Sequence, residues 1–186
     1  EIAAGTNGGM PVLRIGAGPL YHMLHIPRVL RTLVEEFPGT RIDVLAAINT
    51  IVFPMLLRGE MDVLCGEIDP DLPTYGLDTR PLMVAEQAMI MRAGHPLRDR
   101  PITPESLEGS NFVLFQQDER IVRRLDAYMG GGSRRYRIAV STSSFATGLR
   151  LVAETDHLMI APAPLEPVIH EAGLILRLPQ KTFWSL

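Results

Sequence analysis

The sequence predicts an α/β protein built as two successive α/β halves. Residues 12–66 read β-α-β-α-β: three short aliphatic runs separated by segments whose apolar residues recur at threes and fours. After a loop and an extended segment near 78–92, the alternation begins afresh and continues to about 178. Strands alternating with helices imply parallel sheets with helices packed on their faces. The two halves meet near residues 85 and 175.

Residues 1–11, with Gly5, Gly8, Gly9 and Pro11, read as a linker remnant. "VLRIGA" (12–17) is the first strand. Leu20, Met23, Leu24, Leu30, Leu33, Val34 and Phe37 then give one helix, kinked at Pro27 and stopped by Pro38-Gly39. "RIDVLAAI" (41–48) is a strand, and Asn49-Thr50 is read as the cap of a helix to about Arg58, disturbed by Pro54. "MDVLCG" (61–66) closes the first half. In the second half, "PITPESL" is a capped turn, "NFVLF" a strand, and "DERIVRRLDAYM" a helix ended by Gly130-Gly131-Gly132. "RYRIAVS", "HLMIAPA" and "LILRL" are strands; "SSFATGLRLVAE" and 165–172 are helices.

The chain has 186 residues, 46% of them hydrophobic and 21% charged, enough to bury a proper core. A net charge of −3 gives no electrostatic footprint for nucleic acid. No apolar run reaches the roughly 18 residues of a membrane span, and "EIAAGTNGGM" lacks the basic and apolar regions of a signal peptide. The single cysteine, Cys65, excludes an internal disulfide and is read as a small buried hydrophobe. These features fit a reducing cytoplasm.

"LRIGAGPLYHML" (13–24) feeds a strand into a helix through glycines, which raises a nucleotide loop as a question. A Gly-x-Gly-x-x-Gly fingerprint fails because its sixth position is Tyr21, and the second strand ends in Ala46-Ala47-Ile48 without an acid for a ribose. What survives is a helix N-terminus behind small residues, with free backbone N–H groups. His22 and His25 are three apart on one helix, but no further ligands lie near them in sequence, so His22 is read as a helix-surface histidine. His95 belongs to a turn, His157 precedes a strand, and His170 lies near a helix end. No Gly-x-Ser-x-Gly elbow or P-loop occurs. Nothing calls for a catalytic role, a metal or a cofactor. Arg120, Arg123 and Arg124 with Asp118, Glu119 and Asp126 read as a solvated mixed-charge helix face; Arg134, Arg135 and Arg137 read as an exposed loop.

Several motifs, in order, resemble one family. They are "LRIGAGP…LHIPRVLRTLVEEFPGTRIDVLAAINT…LLRGEMDVLCG", "RPLMVAEQAMIMRAGHPL", "SLEGSNFVLF", "RIAVSTSSFATGLRLVAE" and "HLMIAPAPLEPVI". Together, over residues 12–178, they resemble the effector-binding domain of LysR-type transcriptional regulators. The resemblance implies two Rossmann-like lobes joined by two crossover segments, the type II periplasmic-binding-protein-like arrangement. Lobe I would be 12–84 plus 179–186, and lobe II 85–178. In the family, "FWSL" would begin a return to the first lobe that continues further, so that lobe is expected to be incomplete. The family reads DNA with a winged helix-turn-helix that these residues do not contain.

The resemblance also implies a small-molecule effector in the cleft between the lobes. Its contacts would come from Gly18, Pro19 and Leu20, Asn49 and Thr50, Gln116 and Gln117, and Ser143 and Ser144. Hydroxyls, amides and free N–H groups suit a small anion such as a carboxylate. Where relatives carry a hydroxyl after the first strand, this chain has Gly18, which leaves backbone donors there. The greasy first helix, with Leu20, Met23, Leu24, Ile26, Val29 and Leu30, matches the family's antiparallel homodimer contact; the full-length regulator can be a tetramer. The expected function is a ligand-sensing, non-enzymatic regulatory domain acting in the cytoplasm. The alternative is a solute-binding protein of a transporter with the same two-lobe fold.

Overall fold

A computed structural model describes residues 10–67, 76–115, 119–131 and 135–184. The chain divides into two compact units, residues 1–81 and 82–186.

Unit 1 contains β1 (Val12–Ala17), α1 (Pro19–Leu24), α2 (Ile26–Glu36), β2 (Arg41–Ala46), α3 (Asn49–Leu57) and β3 (Val63–Cys65). Its three strands lie in the order β2-β1-β3, all parallel. The central strand carries the core: Ile15 and Ala17 are buried with Ile26, and Leu30 and Leu33 of α2 pack against them. Gly16 is required by close approach, because a Cβ there would meet Cβ of the fully buried Val52 at 3.2 Å. Asp62 ties β3 to β1 through Arg14, whose N–H donates to Oδ2 at 2.7 Å and whose carbonyl accepts from Asp62 at 2.9 Å.

Two local expectations change. The kinked first helix is two helices that break at His25, with Pro27 in the first turn of α2. A proline costs nothing at a helix start, where its missing N–H has no helical partner, so the chain restarts instead of bending. In α3 the cap is Ile48, in extended conformation, and Asn49 is the first helical residue. Pro54 does lie inside α3, as expected.

Unit 2 contains β4 (Gln87–Arg92), β5 (Asn111–Phe115), α4 (Glu119–Tyr128), β6 (Arg137–Thr142), α5 (Phe145–Glu154), β7 (Leu158–Pro162), a 3-10 turn (Ala163–Leu165), α6 (Glu166–Glu171) and β8 (Leu174–Arg177). The sheet order is β6-β5-β7-β4-β8. β5, β6 and β7 are parallel, whereas β4 runs antiparallel to both β7 and β8. On one face Met89, Met91, Phe112 and Leu158 pack with Leu125 of α4, with Met129 just beyond it and with Tyr136. On the other, α5 comes so close that a Cβ on Gly148 would lie 3.0 Å from Sδ of Met159.

The "GHPL" histidine is structural. Buried His95 accepts from the Leu97 N–H at Nδ1 (3.0 Å), which assigns its proton to Nε2, facing the Asp156 carbonyl at 3.2 Å. The helix α4 is more than a solvated charged face: Arg124 stacks over Trp184 at 5.9 Å, and Asp126 accepts from the Tyr136 hydroxyl at 2.7 Å. Residues 180–184, expected with the first lobe, pack within unit 2. Gln180 donates to the Ile102 carbonyl at 3.0 Å, and Gln87 donates to the Trp184 carbonyl at 3.2 Å. Phe183 is buried with its ring 4.3 Å from that of Tyr128. Burial of two aromatic side chains against the α4 face holds this segment there.

Candidate functional site

In open α/β sheets, ligands are held at the carboxyl ends of the parallel strands. In unit 1 that edge follows Ala17, Ala46 and Cys65. The sequence-derived positions Gly18, Pro19, Leu20, Asn49 and Thr50 all lie along it. Gly18 caps α1 in extended conformation (φ −63°, ψ 157°), and its N–H is spent on the Cys65 carbonyl at 2.8 Å. A Cβ at Gly18 would meet that carbonyl oxygen at 3.7 Å, an ordinary contact, so a small side chain has room here. Ile51 and Val52 donate to the Ile48 carbonyl at 2.9 and 3.2 Å, which leaves Asn49 and Thr50 ahead of the first helical bonds, with Thr50 exposed.

Behind this edge Tyr21, Cys65 and Glu67 form a partly buried group. Burial pushes the Tyr21 phenol up, with smaller contributions from the charges of Cys65 and Glu67. Burial also raises the Cys65 thiol, which is half-buried and not fully enclosed as expected. His22 likewise departs from a surface role: it is half-buried, and its Nδ1 is buried without a hydrogen-bond partner.

In unit 2 the corresponding edge follows Phe115, Thr142 and Pro162. Ser144 is the cap of α5, accepting from the Thr147 N–H at 3.2 Å and from the Thr147 hydroxyl at 2.9 Å. Thr142 Oγ1 accepts from the Ser144 N–H at 3.0 Å and so fixes the turn. Ser143 lies between them, exposed. The Phe115 and Phe145 rings meet edge-on at 5.5 Å and set the start of α5 against the end of β5. Gln116 and Gln117 lie outside the described residues.

One residue at this edge escaped the sequence reading. Gln87 starts β4 opposite Pro162 and is 4% exposed, with no hydrogen-bond partner for its Nε2. A lone amide inside the apolar run "MVAEQAMIM" was the available signal. Among the described residues, no group of three or more His, Cys, Asp or Glu is placed to hold a metal. No described helix is long and apolar enough to cross a membrane.

A family model described as the LysR substrate binding domain matches residues 6–185. The HTH-type transcriptional regulator GbpR of Rhizobium radiobacter is 26% identical over 176 residues, covering 93% of this chain and 56% of that protein. The chain thus spans about half the length of the curated relatives it matches. Among solved structures, the C-terminal domain of a probable LysR family transcriptional regulator from Rhodococcus sp. RHA1 superposes with a TM-score of 0.74 at 21% identity, covering 94% of this chain and 86% of that one. The OxyR2 E204G regulatory domain from Vibrio vulnificus gives a TM-score of 0.73 at 15% identity, covering 98% and 87%. Fold, strand edges and family match agree, and the chain belongs to the LysR substrate-binding domain family.

Proposed function

We propose that this chain is the ligand-sensing domain of a LysR-type transcriptional regulator and that its ligand is a small carboxylate. The observation that carries the reading is the edge chemistry inside this family: each unit ends its parallel strands in turns that open helices with small, hydroxyl or amide residues. Gly18, Pro19 and Leu20 would shape the contact surface on unit 1, since the Gly18 N–H is already spent on Cys65 and proline has none. Donors to the ligand would come from Asn49 and Thr50 on unit 1 and from Ser143, Ser144, Gln116 and Gln117 on unit 2, each hydrogen bond to a charged oxygen contributing about 1.5–3 kcal/mol. No catalytic step is involved. Binding acts through its differential affinity for the arrangements of the regulator, which would contact DNA in the cytoplasm through a helix-turn-helix outside these residues.

The full regulator works as a homodimer or higher oligomer in this reading. Support comes from α2, where Val29 and Val34 are 44% and 55% exposed beside buried Ile26. The solute-binding alternative gains no support, because the relatives found are transcriptional regulators.

Thermal unfolding of the chain against a panel of small carboxylates tests the proposal. A ligand at 100 times its Kd adds about 2.7 kcal/mol, or about 5–10 °C for a chain this size. The double variant Asn49→Ala, Ser143→Ala should lose that rise. A flat response across the panel contradicts the carboxylate reading.

A further inference from the structure

We propose that Gln87 is a ligand-recognition residue of unit 2, its side-chain amide donating to an oxygen of the bound carboxylate. This rests on the sensor reading above and extends it to a residue which that reading did not include.

The first support is an unmet donor. Gln87 is 96% buried, yet its Nε2 has no partner. Buried polar groups are nearly always paired, because an unmet donor forfeits its hydration without return. A group left so is a place where an external acceptor belongs.

The second support is position. Gln87 lies opposite Pro162, at the end of β4 that meets the carboxyl ends of β5 and β7. Strand alternation puts it on the same face as Met89 and Met91, the face covered by α4. The ten-residue α4 follows β5, so its N-terminus opens at this same edge and on this same face. The unmet amide donor selects a ligand oxygen, and that this oxygen belongs to a carboxylate follows from the sensor reading, since α4 itself opens with Glu119. The backbone of Gln87 is held in place: its N–H is bound to the Trp184 carbonyl at 3.2 Å, and Trp184 lies under Arg124. The main chain is thereby fixed, and burial restricts the rotamers of the side chain above it.

The test uses the whole chain and three probes, succinate, benzoate and octanoate, each with its primary amide as an uncharged control. Affinities are read by titration calorimetry, and apo stability by thermal unfolding. Gln87→Met keeps the size and removes the donor; Gln87→Glu keeps the shape and adds a repelling charge. The proposal expects at least one carboxylate to bind the wild type more tightly than its amide. Gln87→Met then weakens that carboxylate at least tenfold while raising the apo midpoint, since an unmet buried donor is gone. Gln87→Glu weakens the carboxylate further than it weakens the amide control. Unchanged affinity in Gln87→Met overturns the assignment, whatever happens to stability; a lowered apo midpoint with it shows the amide to be structural. Failure of all three carboxylates to bind the wild type overturns the carboxylate reading and this assignment together.

Discussion

Unit 1 and unit 2 are both α/β, but they are held together very differently. Among the described residues, the buried apolar side chains of unit 1 are Ile15, Ala17, Ile26, Ala47 and Val52, whereas in unit 2 one cluster alone joins eleven buried residues. The outer strands of unit 1 are half open to solvent, and Val63 on β3 is 45% exposed. In unit 2 the four residues Ala88–Met91 of β4 are each 0% exposed. The sheet tells the same story: three strands with one fully flanked by neighbours, against five strands in which β5, β7 and β4 are all flanked. Buried apolar area is the main stabilising term, so unit 2 is the stiffer platform and unit 1 the softer one. In the sensor reading, the proposed turns of unit 1 are therefore carried on a softer support than those of unit 2.

Core truncations give the largest expected effect. Phe112 is fully buried with its ring 5.3 Å from that of Tyr136, so Phe112→Ala should cost about 3–5 kcal/mol. Amide hydrogen exchange should show faster exchange through β5, β6 and β7. If exchange rises equally through β1, the two cores are not separate.

The next effect belongs to the softer unit. Gly16→Val would push a side chain into Val52, which a bare Cβ already meets at 3.2 Å, and should cost about 1–3 kcal/mol by overpacking. Exchange in β1 and α3 should speed up while β4 stays protected. A neutral result would mean that α3 can retreat from β1.

Loss of a cap is smaller. Ser144→Ala removes the oxygen that accepts from Thr147, at a cost of about 1 kcal/mol. Denaturant unfolding measures it, and Ser144→Gly should cost only a few tenths of that.

The smallest effect is electrostatic. Glu105 is held below the usual carboxylate range, first by its own backbone N–H and then by the Thr103 hydroxyl. A depressed folded value means that the folded state binds fewer protons, so this contribution is present at neutral pH. It is lost as pH falls through the ordinary glutamate range towards the folded value. The midpoint difference between wild type and Glu105→Gln should favour wild type at neutral pH and shrink as pH falls through and below the ordinary glutamate range. A difference independent of pH would assign it to packing instead.

Local pattern made most of the elements legible. Period-two and aliphatic runs located β1, β2 and β5, and the glycine and proline punctuation separated them. The errors came where long-range packing decided the outcome. Asn49 is a better cap by intrinsic preference than Ile48, yet the Ala47 N–H is tied to the Ala17 carbonyl at 3.2 Å, and the helix starts one residue earlier than a cap at Asn49 would place it. Phe183 and Trp184 carry no periodic signal that names Tyr128 and Arg124 as their partners. Arg124 and Asp126 read as surface charge because no sequence pattern names Trp184 and Tyr136 as their partners. At the candidate site, strand-to-helix turns follow from sequence, while the unpartnered amide of Gln87 does not, because whether a side chain finds a partner is decided by the three-dimensional packing.

The most direct test of the sensor reading is amide hydrogen exchange with and without the carboxylate that most raises the unfolding midpoint. The account predicts added protection at the turns that open α1 and α3 in unit 1 and α5 in unit 2, with the larger gain in unit 1. Protection confined to other segments, or none at saturating ligand, would contradict it.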